Sequence, residues 1–277
     1  MILEYHRPKT IEEALALIGR PSPRTLPLGG GTLLSRPQAD SVEVVDLQAL
    51  GLNQIKKNGN SPSTSSGQRF EIGATVTLQQ LMENENCPEA LKRAIKLEAP
   101  LNIRNAATVA GAIAACDGRS TFVTALLALD AKLEQAILPF GYDVDNSKIE
   151  YRMSNIGDFI PLRPRGLITS ITIPVQTEFA FEYVSRTPAD KPIVCVALAR
   201  WNSGRTRLAL GGYGKSPMLA MDGPHSFPSP SGRGTEGEGI EAAARNAFHE
   251  AKDEWASAEY RMDIAATLAK RCMDATQ

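Results

Sequence analysis

The sequence predicts an α+β fold in three successive subdomains, and three observations carry that expectation. Capped, helix-periodic segments alternate with short β-branched runs over the first two thirds of the chain. Two glycine-centred turns, Pro27–Leu34 and Ile103–Ala112, stand roughly 75 residues apart, the first after the apolar run Thr25–Leu28. The C-terminal part pairs a hairpin pattern with two helical ones.

Ile2–Tyr5 reads as a short strand, and Thr10-Ile-Glu-Glu13 is a capping box that opens a helix through Ile18. Strands at Arg24–Leu28 and Val42–Leu47 flank the first glycine turn and complete a β-α-β-type unit over 1–56. A second subdomain over 69–175 begins with a strand at Arg69–Gly73. Helices follow at Thr77–Glu83, Pro88–Glu98 and Thr121–Asp130, the last almost wholly apolar. Leu167–Pro174 alternates branched apolar with hydroxyl residues, as antiparallel strands do. The third subdomain, 178–277, has strands at Ile193–Trp201 and Thr206–Gly211 around the turn Asn202-Ser-Gly204. Helices are expected at Glu241–Lys252 and Ser257–Met273. Two stretches rich in Gly, Ser and Pro, 57–68 and 223–239, read as surface insertions without site chemistry.

Composition narrows the function classes. The chain has 277 residues, 43% of them hydrophobic, enough to bury a substantial core. Its 30 basic and 31 acidic residues nearly cancel, so no charge excess drives nucleic-acid or anionic-membrane binding. The segment Met1–Pro8 does not read as a signal peptide, and no stretch approaches the roughly 18 apolar residues of a membrane span, so a cytoplasmic location without membrane insertion is expected. Cys87, Cys116, Cys195 and Cys272 lie far apart without C-x-x-C spacing, which gives no zinc or iron–sulfur signature. Of three histidines, His6 reads as a surface residue and His225 lies in the second insertion. No serine sits in a nucleophile elbow, so a hydrolytic triad is not expected and no catalytic side chain is assigned.

The two glycine turns are the candidate site. Gly29-Gly30-Gly31 follows Thr25–Leu28 and precedes Thr32, so its backbone is free to take positive φ and gather N–H groups into one concavity. In the second turn Thr108 is a candidate N-cap and Gly111 permits close backbone approach, so its amides are candidates for an opposing wall around a diphosphate. Neither turn has the spacing of a Rossmann fingerprint or a P-loop.

Taken together, Pro27–Leu34, Thr75–Thr77, Ile103–Ala115, 122–131, Asp158–Phe159, Leu167–Pro174, Ser185–Asp190, Gly211–Pro217 and 257–271 resemble the FAD-binding medium subunit of the molybdenum hydroxylases. That family includes the medium chain of carbon monoxide dehydrogenase and the flavin domain of xanthine dehydrogenase. The resemblance implies a two-subdomain FAD-binding fold of the vanillyl-alcohol oxidase/PCMH type, followed by a C-terminal α+β domain. It implies FAD as cofactor, with a molybdopterin-binding large subunit and a [2Fe-2S] small subunit as partners in a heterotrimer. Electrons would then pass from the iron–sulfur clusters to FAD, and on to an acceptor such as NAD or quinone. An independent flavin oxidase of the vanillyl-alcohol type fits less well, since no additional substrate domain is recognisable.

Carried over residue by residue, the resemblance places the cofactor on Leu28, Gly29, Gly30, Gly31, Thr32 and Leu34 in the first turn. In the second it uses Ile103, Arg104, Thr108, Gly111 and Ala112. Thr77, in Gly73-Ala-Thr-Val-Thr77, is either a contact or a plain N-cap, and Ile168 either packs near the cofactor or belongs to the core. Arg186 and Asp190 reproduce a Ser-Arg-x-x-x-Asp pattern whose alternative is a solvated salt bridge. The sequence departs from the family where Thr-Ile-Gly-Gly-Asn becomes Thr108-Val-Ala-Gly-Ala112, and where a later aspartate is Thr121, with Asp117 close by. Each neutral hydrogen bond lost weakens binding by about 0.5–1.5 kcal/mol. These departures motivate the alternative of a scaffold subunit that keeps the fold but not the cofactor.

Overall fold

A computed structural model describes residues 1–35, 40–58, 69–138, 149–175, 177–224 and 236–276. The centres of both Gly/Ser/Pro insertions, with His225, lie outside the described residues. Their described margins belong to regular elements, a strand on one side of 225–235 and a helix on the other.

The N-terminal unit contains β1 (Ile2–His6), α1 (Ile11–Ile18), β2 (Thr25–Leu28) and β3 (Val42–Asp46), with strand order β1-β3-β2 and both pairings parallel. Thr10 caps α1 by accepting from the Glu13 amide at 3.2 Å. The predicted box is altered, because the Glu13 carboxylate accepts from the Lys9 amide at 2.8 Å, one residue before the cap. Ala14 and Leu15 of α1 pack with Val45, Leu47, Ala136 and Leu167, which seats this unit on the edge of the next.

The second unit runs through β4 (Ile55–Asn58), β5 (Arg69–Gly73), α2 (Leu78–Glu83), α3 (Glu89–Glu98), α4 (Leu101–Arg104), α5 (Val109–Ala114) and α6 (Thr121–Ala128). It continues with β6 (Lys132–Ile137), β7 (Glu150–Asn155), α7 (Ile156–Leu162) and β8 (Leu167–Pro174). Its sheet has the order β4-β5-β8-β6-β7, antiparallel throughout. The helices cover one face. α6 is buried along its entire length because it lies between neighbouring helices, α3 above all, and the sheet of the last unit, which explains its missing polar face. The Glu98 carboxylate accepts from the Ser120 hydroxyl and the Phe122 amide, both at 2.9 Å, and so places negative charge at the N-terminus of α6.

The last unit has β9 (Glu178–Val184), β10 (Val194–Arg200), β11 (Arg205–Gly211), β12 (Met218–Pro224), α8 (Glu236–Ala247) and α9 (Ala258–Asp274). Its sheet order is β12-β11-β10-β9, antiparallel, with β10 and β11 forming the predicted hairpin. α8 begins and ends about five residues earlier than the sequence suggests. The chain leaves the helix at Phe248, and Phe248 and Ala251 are both buried against the sheet. One face of this sheet receives α8 and α9. From the other, Phe181, Cys195, Ala197, Ala199 and Ala209 join the core of the second unit, so the hydrophobic interior is continuous between them. Among the described residues, no helix is long and apolar enough to cross a membrane.

Candidate functional site

Both glycine turns line one cleft of about 340 Å³, within the usual range for small-molecule sites. The first turn contributes Gly29 to Leu34. The second contributes Thr108, with Ala110, Gly111 and Ala114 along α5, and Ala74, Phe159, Arg163, Gly166 and Ile168 complete the walls. The cleft is mostly apolar and glycine-rich, as a site for a large aromatic ligand requires.

The two turns touch one another directly. A Cβ on Gly29 would lie 2.6 Å from the Thr108 hydroxyl oxygen, and one on Gly30 would fall onto the Ala106 carbonyl oxygen. Only Gly31 of the triplet has positive φ, at 71°. The expectation that the triplet serves conformational freedom therefore holds for one residue. Gly29 and Gly30 are needed for close backbone packing.

The hydrogen-bond inventory separates the turns further. Among the described residues, the amides of Gly29, Gly30, Gly31 and Thr32 donate to no protein acceptor. In α5, by contrast, the Val109 amide donates to the Val76 carbonyl at 2.8 Å and the Ala110 amide to the Ala74 carbonyl at 3.2 Å. The Gly111 amide donates to the Thr108 hydroxyl at 3.2 Å. The predicted second wall of free amides is thus corrected, because α5 spends its first-turn donors on the strand-to-helix connection before α2 and on its own cap. What remains is one donor turn, Gly29–Thr32, facing a helix of small side chains. A row of unpaired amides on the wall of a cleft suits the diphosphate of a dinucleotide.

The other sequence-predicted residues divide by place. Ile168, on β8, lines the cleft and is otherwise core. Leu28 supports the turn from behind, its carbonyl accepting from the Leu47 amide at 3.1 Å. Thr77 is the N-cap of α2 in a full capping box with Gln80 and forms an isolated bridge with Thr108, so it braces the second turn. The Ile103 carbonyl accepts from the Ala106 and Ala107 amides beneath that turn. Arg104 is buried, donating through Nε to Gln79 at 2.9 Å and through Nη1 to the Ala99 carbonyl at 2.8 Å, where it closes the C-terminus of α3.

Thr121 is also sealed in the interior, donating to the Ala94 carbonyl at 2.7 Å. Asp117 is exposed and paired with Lys191 at 3.0 Å. Arg186 stacks on Trp255 with its guanidinium 4.1 Å from the ring centroid, and Asp190 is 3.9 Å away. Neither Arg186 nor Asp190 lines the cleft.

Ala112 sits on α5 roughly 160° around the helix from both Ala110 and Ala114, turned from the cleft toward the core. Ala112→Asn is therefore expected to leave flavin affinity within about twofold of wild type and to cost about 0.5–1 kcal/mol of stability through helix propensity and packing. Flavin titration checks this. A tightening of about two- to twelvefold, the worth of one new hydrogen bond, would place position 112 in the site instead.

Sequence reasoning gave no site role to Phe159, Arg163, Pro164 and Gly166, which also line the cleft. Arg163 follows α7 in left-handed conformation, φ 40° and ψ 60°, and its guanidinium donates to the Cys116 carbonyl at 2.5 Å. Burial pushes the Cys116 thiol above its ordinary pKa, against the pull of the nearby Arg163 charge, so it is a neutral thiol. The buried Gln135 lies opposite Ile168 across the ladder with its Nε2 unpartnered.

The family model described as the FAD binding domain in molybdopterin dehydrogenase matches residues 1–176, and the chain belongs to that family. It is an FAD-binding oxidoreductase subunit of the molybdenum-hydroxylase class. Along most of its length it is similar to Uncharacterized protein YgfM of Escherichia coli (strain K12), with 28% identity over 272 residues, 97% of this chain and 94% of that protein. In fold it matches a chain of CO dehydrogenase from Oligotropha carboxidovorans at a TM-score of 0.76 and 23% identity, covering 99% of this chain and 96% of that one. Quinoline 2-oxidoreductase from Pseudomonas putida 86 gives 0.74 at 19% identity, covering 100% and 97%.

Proposed function

We propose that this chain holds FAD across the cleft and passes electrons from an iron–sulfur subunit to a soluble acceptor, NAD or a quinone, within a complex whose large subunit carries molybdopterin. The observation that carries this reading is the row of unpaired amides at Gly29–Thr32 inside the cleft of a chain from an FAD-binding family. When bound, FAD supplies the ability to accept electrons singly and release them in pairs. The protein's part is positional. Gly29–Thr32 donate to the diphosphate, Ala110, Gly111 and Ala114 let it approach α5, and Phe159 and Ile168 offer apolar surface to a ring.

In this reading the expected subdomains 1–56 and 69–175 hold the cofactor between them, with β4 (Ile55–Asn58) joining the second, and 178–277 packs against the second without lining the cleft. Substrate specificity then resides in the molybdenum subunit, and no side chain of this chain acts as acid or base. One observation favours the scaffold alternative: the α5 amides are already occupied, which leaves fewer donors for a diphosphate than two free turns would.

Purification of the chain with its two candidate partner subunits distinguishes these readings. The electron-transfer reading expects one flavin per copy of this chain. Its visible absorption should bleach anaerobically when the substrate of the molybdenum subunit is added, and return with NAD or a quinone. A stable three-subunit complex without flavin, still turning over with an artificial dye, would establish the scaffold reading.

A further inference from the structure

We propose that Arg163 is the counter-cation of the cofactor diphosphate, a positioning residue supplied to the cleft by the turn that ends α7; this rests on the reading that the cleft holds FAD. Arg163 is the one charged side chain among the described residues that line the cleft. A diphosphate brings two negative charges against walls whose other lining side chains are apolar or hydroxyl-bearing, open to solvent at Gly111, Ala114 and Arg163, and taking such charge out of water without a counter-charge costs free energy.

The arginine is held for this task. Its backbone occupies the left-handed region, which a side chain with a Cβ enters only at a cost and which glycine fills freely. A strained residue of this kind persists where the surroundings determine its position. Its guanidinium is tethered on one edge, Nε donating to the Ile160 carbonyl at 3.3 Å and Nη2 to the Cys116 carbonyl at 2.5 Å. That tether joins the ends of α7 and α5, both on the cleft wall. Among the described residues Nη1 has no hydrogen-bond partner, so the planar fork presents a pre-oriented, charged donor pair to an incoming anion.

The test uses the full chain stripped of flavin and titrated with FAD, ADP and riboflavin by fluorescence or calorimetry, at two salt concentrations. ADP carries the diphosphate without the flavin ring, and riboflavin carries the ring without phosphate. Arg163→Gln is expected to weaken FAD and ADP together by roughly ten- to a hundredfold, the worth of one charge-assisted hydrogen bond, and to leave riboflavin unchanged. The salt dependence of FAD binding should flatten in the same variant, and Arg163→Lys should restore it in part. Equal FAD and ADP affinity in wild type and Arg163→Gln, with wild type binding FAD normally, overturns the proposal and leaves the FAD reading intact. A loss confined to riboflavin and FAD would also overturn it, since the ring would then be what Arg163 contacts. An equal loss for all three ligands with a lowered apo melting temperature would reduce Arg163 to a structural tether. Absence of FAD binding by the wild type would remove the FAD reading and the proposal together.

Discussion

Gly30→Val is expected to abolish flavin retention and to lower stability by about 1–3 kcal/mol, as overpacking of a close-packed contact does. The new Cβ would fall on the Ala106 carbonyl, and that backbone has little freedom to retreat. The Ala107 amide donates to the Ile103 carbonyl at 2.7 Å, and the Ala107 carbonyl accepts from the Leu78 amide at 2.9 Å. The turns must then separate, and with them the amides of Gly29–Thr32 move out of register with α5. Gly31→Ala is the control, because its Cβ would meet only the flexible end of Leu28, at 3.3 Å, and its cost is the positive φ alone. Thermal melts and flavin-to-protein ratios check both. A soluble Gly30→Val protein with normal flavin content would remove this turn from the site.

The second large effect is expected at Arg261. This guanidinium is completely buried between α9 and the loop after β11, donating to the Ile193 carbonyl, to the Gly212 carbonyl at 2.9 Å and to the Asp253 carboxylate at 2.6 Å. Gly212 in turn donates to the Gly118 carbonyl at 2.7 Å, and Gly118 to the Gly214 carbonyl at 3.1 Å, so Arg261 steadies the loop that grips the chain just after α5. Arg261→Met keeps much of the volume and removes every donor. It should cost about 3–5 kcal/mol, since two carbonyls and a carboxylate lose their partner, and lower the melting temperature by an amount on the order of 10 °C.

Burial raises the Asp253 pKa, but the Arg261 hydrogen bond and the Trp255 amide outweigh it and hold the carboxyl below its ordinary value of 3.8. The stability linked to that depression is complete above about pH 4 and is lost as pH falls through the folded value. The gap between wild type and Arg261→Met should therefore be constant from pH 5 to 8 and narrow in acid. A melting temperature within about 2 °C of wild type at pH 7 would show that the loop is held by other contacts.

Local signals made much of this architecture legible. Thr10, Thr77 and Thr108 announce helix starts because each side chain accepts from an amide three residues on. The β10–β11 hairpin is readable from the turn Asn202-Ser-Gly204 between two strand-like segments, with Gly204 at positive φ. β6 was hidden because Lys-Leu-Glu-Gln-Ala-Ile mixes polar and apolar residues. It is bulged where it meets β8 and packs on both faces, Leu133 toward the helices and Ala136 toward α1. α7 was hidden by Pro161 near its end, a residue that normally argues against a helix.

At the site, the glycines were visible but the reasons for two of them were not, since the neighbour that requires Gly29 and Gly30 lies far along the chain. The occupied amides of α5 depend on Ala74 and Val76, and no motif records that pairing. Arg163 carries no sequence signal at all. Its position in the cleft follows from the left-handed turn that ends α7 and from a tether to Cys116, both tertiary facts.

The central claim, that the Gly29–Thr32 turn and α5 together hold a flavin dinucleotide by its diphosphate, is tested most directly by titrating the flavin-free chain with FAD beside riboflavin. The account predicts saturable binding of one FAD per chain in the low-micromolar range or tighter, with riboflavin at least about tenfold weaker because it lacks the group the amides hold. No FAD binding at tens of micromolar, or equal affinity for FAD and riboflavin, would contradict it.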